Sequence, residues 1–284
     1  MKNNKTKFWG ILALAGMTLA ACSPEEVDGD GNGIINTLDL DATFTVTEVS
    51  ANHYRVQSGE TRATSHYWSD GSVSGPDGDA RDYFFPDAAD YTITHRVCGI
   101  GGQDCLESVQ TVHVPVSDPV QGNIVVNPKF LDGSTGWTIL NISPSGAQWT
   151  FNDGSASLVA SGFNQQAIYQ PIQVEGGHTY KFDMTVSSPG LQDTWFELYA
   201  DYAAPTQNSD YSAGGRLLQI NTWGGCGGSA FNGQLSSFYP CGSTSDVSGQ
   251  TRQFATSGTV YLLIKSGGGN ANLTVTNVEV RRID

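Results

Sequence analysis

Trp195-Phe196-Glu197-Leu198-Tyr199 is the stretch of this chain best suited to chemistry. Side chains of an extended strand alternate between faces. Phe196 and Leu198 therefore turn toward a core, while Trp195, Glu197 and Tyr199 share the opposite face. Two large aromatics around a carboxylate offer what a sugar needs: a ring on which its C–H face stacks, and an acceptor for its hydroxyls. An edge strand with incidental aromatics is the plainer reading. Trp223 stands in Asn221-Thr222-Trp223-Gly224-Gly225-Cys226-Gly227-Gly228. A cysteine tie in this glycine-rich loop would hold the indole in place and lower the cost of ordering it on binding. Trp149 and Tyr169 lie on strands of mixed patterning and are open between cleft and core. The binding candidates are thus Trp195, Trp223, Glu197, Tyr199, Trp149 and Tyr169.

Catalysis asks for more than the sequence offers. A sandwich hydrolase acting on glycosides would carry its carboxylates on one strand, as in Glu-x-Asp-x-x-Glu, and no such run occurs. His53, His66, His95, His113 and His178 show neither a zinc-type His spacing nor a Gly-x-Ser-x-Gly partner. The expectation is a binding protein, not an enzyme.

The elements that must position these residues read as strands. Thr43–Val49, Tyr91–Val97, Val109–Val116, Tyr180–Val186, Phe196–Tyr199, Val260–Lys265 and Leu273–Val280 alternate apolar with polar residues. Helical periodicity is almost absent after Val27, and 34 glycines punctuate the chain. Short strands between Gly, Asn, Asp and Ser turns predict an all-β protein of packed sandwiches. The length allows about two domains.

Charge and cysteines narrow the setting. The chain carries 14 basic and 28 acidic residues, a balance of −14. Without Lys2, Lys5 and Lys7 of the leader discussed next, the balance falls to −17. Such a surface repels phosphate backbones, so no nucleic-acid partner is expected. Of five cysteines, four fall into two local couples, Cys98/Cys105 and Cys226/Cys241. Three pairings are formally open, and local pairing is favoured because each couple sits within one segment. A metal site does not suit their spacing.

Residues 1–21 combine a basic start with an apolar stretch, Phe8–Leu19, too short to span a bilayer. Leu19-Ala20-Ala21-Cys22 resembles a bacterial lipobox, which implies cleavage before Cys22 and lipidation of its sulfur. Ser23-Pro24-Glu25-Glu26 resembles the acidic lipoprotein export signal of Bacteroidota, which implies anchoring on the outer face of the outer membrane. Residues 22–38 form an acidic tether. Within it and at its end, Asp28, Asp30, Asn32, Asn36 and Asp39 occupy positions 1, 3, 5, 9 and 12 of a calcium-loop pattern with Gly33 at position 6. This segment resembles a single thrombospondin type 3 or dockerin-like loop. A structural calcium and a merely solvated tether are both consistent with it, and no cofactor is required.

Residues 39–115 resemble a PKD-type immunoglobulin-like domain. His66-Tyr67-Trp68 opens one strand, and Phe85-Pro86-Asp87-Ala88-Ala89-Asp90-Tyr91-Thr92-Ile93 leads into another. The resemblance implies a spacer with Trp68 in its core. Residues 116–122, with Pro119, read as an extended, semi-stiff linker.

Residues 123–284 resemble family 4 carbohydrate-binding modules. Asn127-Pro128-Lys129-Phe130 with Gly136-Trp137-Thr138 matches the opening motif. Gln166–Ile172, Gly176–Phe182, Phe196–Tyr199, Thr259–Gly267 and Leu273–Val280 follow in the family's order. The implied fold is a β-jelly roll, with Trp137 in the core. The arrangement as a whole resembles surface glycan-binding lipoproteins of Sus-type polysaccharide uptake systems. It implies a polysaccharide ligand, a β-1,3-glucan of the laminarin type before xylan or mixed-linkage glucan, and a TonB-dependent transporter complex as partner. A structural or adhesive protein contacting another protein is the rival from a different class.

Overall fold

The computed structural model describes residues 39–284 except 72, 73, 100, 101, 103, 104, 244 and 246. The described chain is all-β, arranged as two sandwiches in sequence.

The first sandwich packs a three-stranded sheet on a four-stranded one. The three-stranded sheet runs β1 (Phe44–Ser50), β2 (His53–Ser58), β5 (Ala80–Phe84). The other runs β4 (Ser74–Asp77), β3 (Ser65–Ser69), β6 (Ala89–Cys98), β7 (Cys105–Val114). Alternation on β3 and β6 sends Trp68, Ile93 and Val97 inward, all fully buried. Trp68 meets the edge of Phe44 at 5.3 Å, and its indole N–H is satisfied by the Gly78 carbonyl at 3.0 Å. The Cys98–Cys105 disulfide joins two residues paired across β6 and β7, so it pins the register of that hairpin.

The connection between the sandwiches turns, whereas Pro119 predicts an extended tether. The Asp118 carboxylate accepts the Val120 and Gln121 N–H groups, and the Gly122 N–H closes the turn on the Asp118 carbonyl. The Asp118 N–H in turn donates to the Pro86 carbonyl. Asp87 then ties both sandwiches together. Its carboxylate accepts the Asn123 N–H at 2.8 Å and Nη1 of Arg281 at 2.8 Å. Burial works against its ionisation, but these two donors prevail and hold the carboxyl below the usual range.

The second sandwich is built on two long strands that serve both of its sheets. These are β10 (Ser155–Val174) and β16 (Gly258–Arg282), antiparallel partners along most of their length. The predicted strands Val260–Lys265 and Leu273–Val280 are thus halves of one strand. The corner between the halves falls at Gly267-Gly268-Gly269. Gly268 has φ +152°, and a Cβ there would lie 2.4 Å from the Asp193 carbonyl, so only glycine fits. One face of the sandwich carries β13 (Leu218–Asn221), β12 (Gln192–Asp201), the first half of β16, the second half of β10, and β8 (Thr138–Asn141). The other face carries β11 (Thr179–Ser188), paired with β14 (Phe231–Gln234), β15 (Thr251–Gln253) and the second half of β16, and β9 (Ala147–Asn152), paired with the first half of β10. Between the faces lies one continuous core including Phe130, Trp137, Leu158, Ile168, Phe182, Phe196, Leu198, Ile264 and Val280.

Candidate functional site

Alternation on β12 works as the residue types dictate. Phe196 and Leu198 are fully buried in the main core. Trp195, Glu197 and Tyr199 point to the outer face of the sheet. Neighbouring strands add Lys265 and Leu263 from β16, Ala167 and Tyr169 from β10, Leu140 from β8 and Gln219 from β13.

This face is not an open cleft. The segment 202–216 crosses it as a strap. The strap's Asn208 N–H donates to the Asn141 carbonyl at 2.8 Å on the far edge. Gln207 accepts the Asn141 N–H at 3.0 Å and donates to the Ile139 carbonyl at 2.8 Å. From the strap, Tyr211 meets Tyr199 edge to face at 5.8 Å, and both join a small buried cluster with Leu140, Ala167 and Leu263. Burial, followed by nearby Asp201, pushes the Tyr211 phenol up to about 12. The Tyr199 phenol is driven up further, by burial and then by the Glu197 charge.

The expectation that Glu197 and Tyr199 meet ligand is therefore corrected. Only 2% of Tyr199 is exposed. Glu197 is buried and fully engaged. Its carboxylate accepts the Tyr199 hydroxyl at 2.8 Å, pairs with Lys265 Nζ at 3.1 Å and lies 3.6 Å from Arg216. Lys265, also buried, donates to Asp210 at 2.9 Å and to the Tyr211 carbonyl at 3.0 Å. Arg216 continues the network to Gln219 at 2.7 Å, and Gln219 donates to the Cys241 carbonyl at 2.7 Å. The carboxylate holds the strap and the Cys241 loop to the sheet.

Trp149 is corrected as well. It is a core residue, 2% exposed, with its indole N–H on the Gln166 carbonyl at 3.1 Å and its backbone N–H on the Gln166 side chain. Tyr169 is half-buried on the outer face, 6.2 Å from Tyr261 and packed against the cluster under the strap. The structure does not bring it to Trp195.

It does bring together Trp195 and Trp223. Their ring centroids lie 6.3 Å apart with planes tilted by 30°. Trp195 is half-buried, and Trp223 is 58% exposed. The Trp223 loop is held locally. The Asn221 side chain accepts the Trp223 N–H at 3.0 Å, and Gly225 closes the turn with φ +85°. The Cys226–Cys241 disulfide then ties the loop to the neighbouring one. The loop thus presents an exposed indole in a fixed place.

Several residues of this region escaped the sequence reading. Lys265 carried a signal, a lone cation ending the apolar run Leu262-Leu263-Ile264, which demands a buried partner. The triple glycine at 267–269 signals a close approach within a strand. Phe163, 61% exposed with φ +61°, carried none.

Cys22, Asp28, Asp30, Asn32 and Asn36 lie outside the described residues. Asp39 is exposed, and its carbonyl accepts from Arg62. Among the described residues no group of three or more His, Cys, Asp or Glu side chains is placed to hold a metal ion.

No protein-family model matches the chain, and no curated protein matches it. Solved structures of weakly similar shape exist. The enzymatically active domain of bacteriophage CBA120 tailspike protein 4 aligns with 60% of the chain at 12% identity and TM-score 0.38, and the chain spans 23% of it. TmCBM61, solved with β-1,4-galactotriose, aligns with 57% of the chain at 10% identity and TM-score 0.36, over 99% of its own length. The CBM22-1 xylan-binding domain of Paenibacillus barcinonensis Xyn10C aligns with 58% at 13% identity and TM-score 0.33, over 97% of its own length. At scores this low, what the site binds has to come from its own geometry.

Proposed function

We propose that the protein is a carbohydrate-binding lipoprotein whose second sandwich captures a polysaccharide on the Trp195–Trp223 platform. The observation that carries this reading is the pair itself: two indoles 6.3 Å apart, one well exposed, on a loop stiffened by a cap and a disulfide. Flat, rigid aromatic faces stack on the C–H faces of sugar rings, and a pre-ordered loop loses little entropy in doing so. The acidic balance of the chain agrees with a ligand that carries no phosphate. In this reading Cys22 carries the lipid and the outer-membrane surface is the site of action. The first sandwich is the spacer, and captured chains pass to a TonB-dependent uptake complex. Laminarin-type β-1,3-glucan is the favoured ligand, followed by xylan and mixed-linkage glucan, and binding proceeds without catalysis.

A glycan array followed by calorimetry tests this. Trp223→Ala and Trp195→Ala are each expected to cost about 2 kcal/mol of binding, roughly thirtyfold in affinity. The melting temperature of Trp223→Ala should stay near that of the parent, because so exposed a ring adds little to folding. Trp149→Ala is the contrast. It empties a core site and should destabilise by about 3–5 kcal/mol. Undiminished glycan affinity in both platform variants would remove the reading. Binding on a protein array, with none on glycans, would favour the adhesive alternative.

A further inference from the structure

We infer that the Trp195–Trp223 platform is one end of a groove that crosses the strands to Phe163, and that the groove holds a neutral glycan chain of several sugar units. The inference rests on the platform reading above and extends it to the direction, length and charge of the ligand.

The register of three strands places the groove. Along β10 and β16, Ser161 pairs with Asn270 and Asn164 with Gly268, so Gly162 and Phe163 together stand opposite Gly269. Along β12 and β16, Gln192 pairs with Asn270 and Thr194 with Gly268, so Asp193 stands opposite Gly269 from the other side. Phe163, Gly269 and Asp193 therefore form one row across three strands. A Cβ built on Gly269 would lie 3.6 Å from Phe163 Cζ and 3.2 Å from Asp193 Cβ. Phe163 and Asp193 thus flank Gly269 closely, and a larger side chain there would push against both. The next row on the same face, two residues along, is Gln165, Gly267, Trp195 and Asn221. Trp223 stands two residues after Asn221.

Phe163 and Asp193 are both non-glycine residues at positive φ, +61° and +48°. Each gives up a little backbone stability to stand where it does. From β10 to β13 is three strand spacings, about 14 Å. That distance is too long for one sugar ring and suits a short run of them. The strap closes the path along the strands by burying Tyr199, so a chain resting on Trp195 has to lie across them. The charge of the groove is equally informative. Lys265 and Arg216, the cations of this face, are committed to Glu197, whereas Asp193 is exposed at the rim. A carboxylate accepts sugar hydroxyls well and repels uronates and sulfates.

The test uses the full mature chain in calorimetry. The probes are β-1,3-gluco-, β-1,4-gluco- and xylo-oligosaccharides of two and six units, with oligogalacturonate as the anionic control. For whichever neutral series binds, Phe163→Ala is expected to lower affinity for the six-unit chain roughly tenfold and to leave the two-unit affinity unchanged. Gly269→Leu, which pushes against Phe163 and Asp193, should do the same, with its melting temperature confirming that it folds. Six-unit affinity unchanged in both variants, while Trp223→Ala still lowers affinity roughly thirtyfold, overturns the crosswise groove and leaves the platform standing. No effect of Trp223→Ala, or no binding to any series, removes the platform and the groove together. Oligogalacturonate bound as tightly as the neutral chain overturns the charge assignment.

Discussion

Lys265 offers the sharpest test of how the outer face is built. Its side chain is 5% exposed and stands between Glu197 at 3.1 Å and Asp210 at 2.9 Å. Replacing it with Met keeps the bulk and removes the charge. Glu197 then remains buried, with the Tyr199 hydroxyl at 2.8 Å and Arg216 at 3.6 Å as its only compensation among the described residues. Breaking a buried pair from one side typically costs about 3–5 kcal/mol. Arg216, about one-third exposed, offsets part of this, so about 3 kcal/mol is expected. Asp210 is 56% exposed, and its share is about 0–1 kcal/mol. For a domain of this size, 3 kcal/mol corresponds to a fall of about 6–12 °C in the melting temperature. The double variant Lys265→Met with Glu197→Gln removes both charges and keeps the Tyr199 hydrogen bond. It should recover to within about 1 kcal/mol of the parent. Scanning calorimetry gives the stabilities, and hydrogen exchange follows the strap, which loses the Lys265 bond to the Tyr211 carbonyl. If the single variant costs under about 1 kcal/mol, or the double variant is no better than the single, the face is not held by this network.

Three further expectations follow from other parts of the molecule. His95 is fully buried, donates from Nδ1 to the Ala42 carbonyl at 2.8 Å, and so accepts at Nε2 from His66 at 3.1 Å. Burial lowers its pKa, so the folded chain binds fewer protons than the unfolded one once the pH falls below about 6.5. First-domain stability should therefore be complete above that pH and decline below it, by at most about 1.4 kcal/mol per pH unit, and His95→Phe should flatten the decline in acid melts. Replacing Cys226 and Cys241 by Ser opens a tie of sequence separation 15, worth about 3 kcal/mol, and should weaken glycan binding beyond the stability loss by freeing Trp223. Ligand affinity equal to the parent under conditions where the variant is folded would refute that role for the tie. Cys22→Ala should move the protein from the membrane fraction to the soluble one, and unchanged retention would count against the lipid anchor.

Much of the architecture was legible because burial imposes alternation. Phe196 and Leu198 point inward and Trp195 outward, as a period of two requires. Trp68 and Trp137 are core residues, and both local cysteine couples are bridged. Other features depend on contacts far apart in sequence. The partner strand, far away in sequence, brings Gln166 to the Trp149 indole, although alternation of Ala147, Trp149 and Phe151 with Gln148, Thr150 and Asn152 already places that ring inward. The continuity of β16 through three glycines looks like a break between two strands, because glycine marks turns as well as strand corners.

The strap shows where alternation stops being informative. Alternation assigns Glu197 and Tyr199 to the outer face, and there they are, but it does not say what covers that face. The covering segment, Tyr202 to Arg216, reads as a polar loop with little to bury except Tyr211 and Ala213. The clue lay on the opposite strand. A lysine inside an apolar run has to find acceptors, and a face that supplies Glu197 from one side needs a second element to supply Asp210 and a carbonyl from the other. On the proposed reading, the same bonds limit where a glycan can lie. Displacing the strap would leave Lys265 and Glu197 facing a sugar in place of Asp210 and Tyr211. It would also strip water-free packing from Leu140, Ala167 and Leu263. Binding at the Trp195 end requires none of this, because Trp223 is already exposed and its loop already ordered. If the Trp195–Trp223 platform takes the ligand as proposed, the buried lysine keeps that ligand away from the middle of the sheet, where the carboxylate lies, and toward the end where the aromatic rings stand.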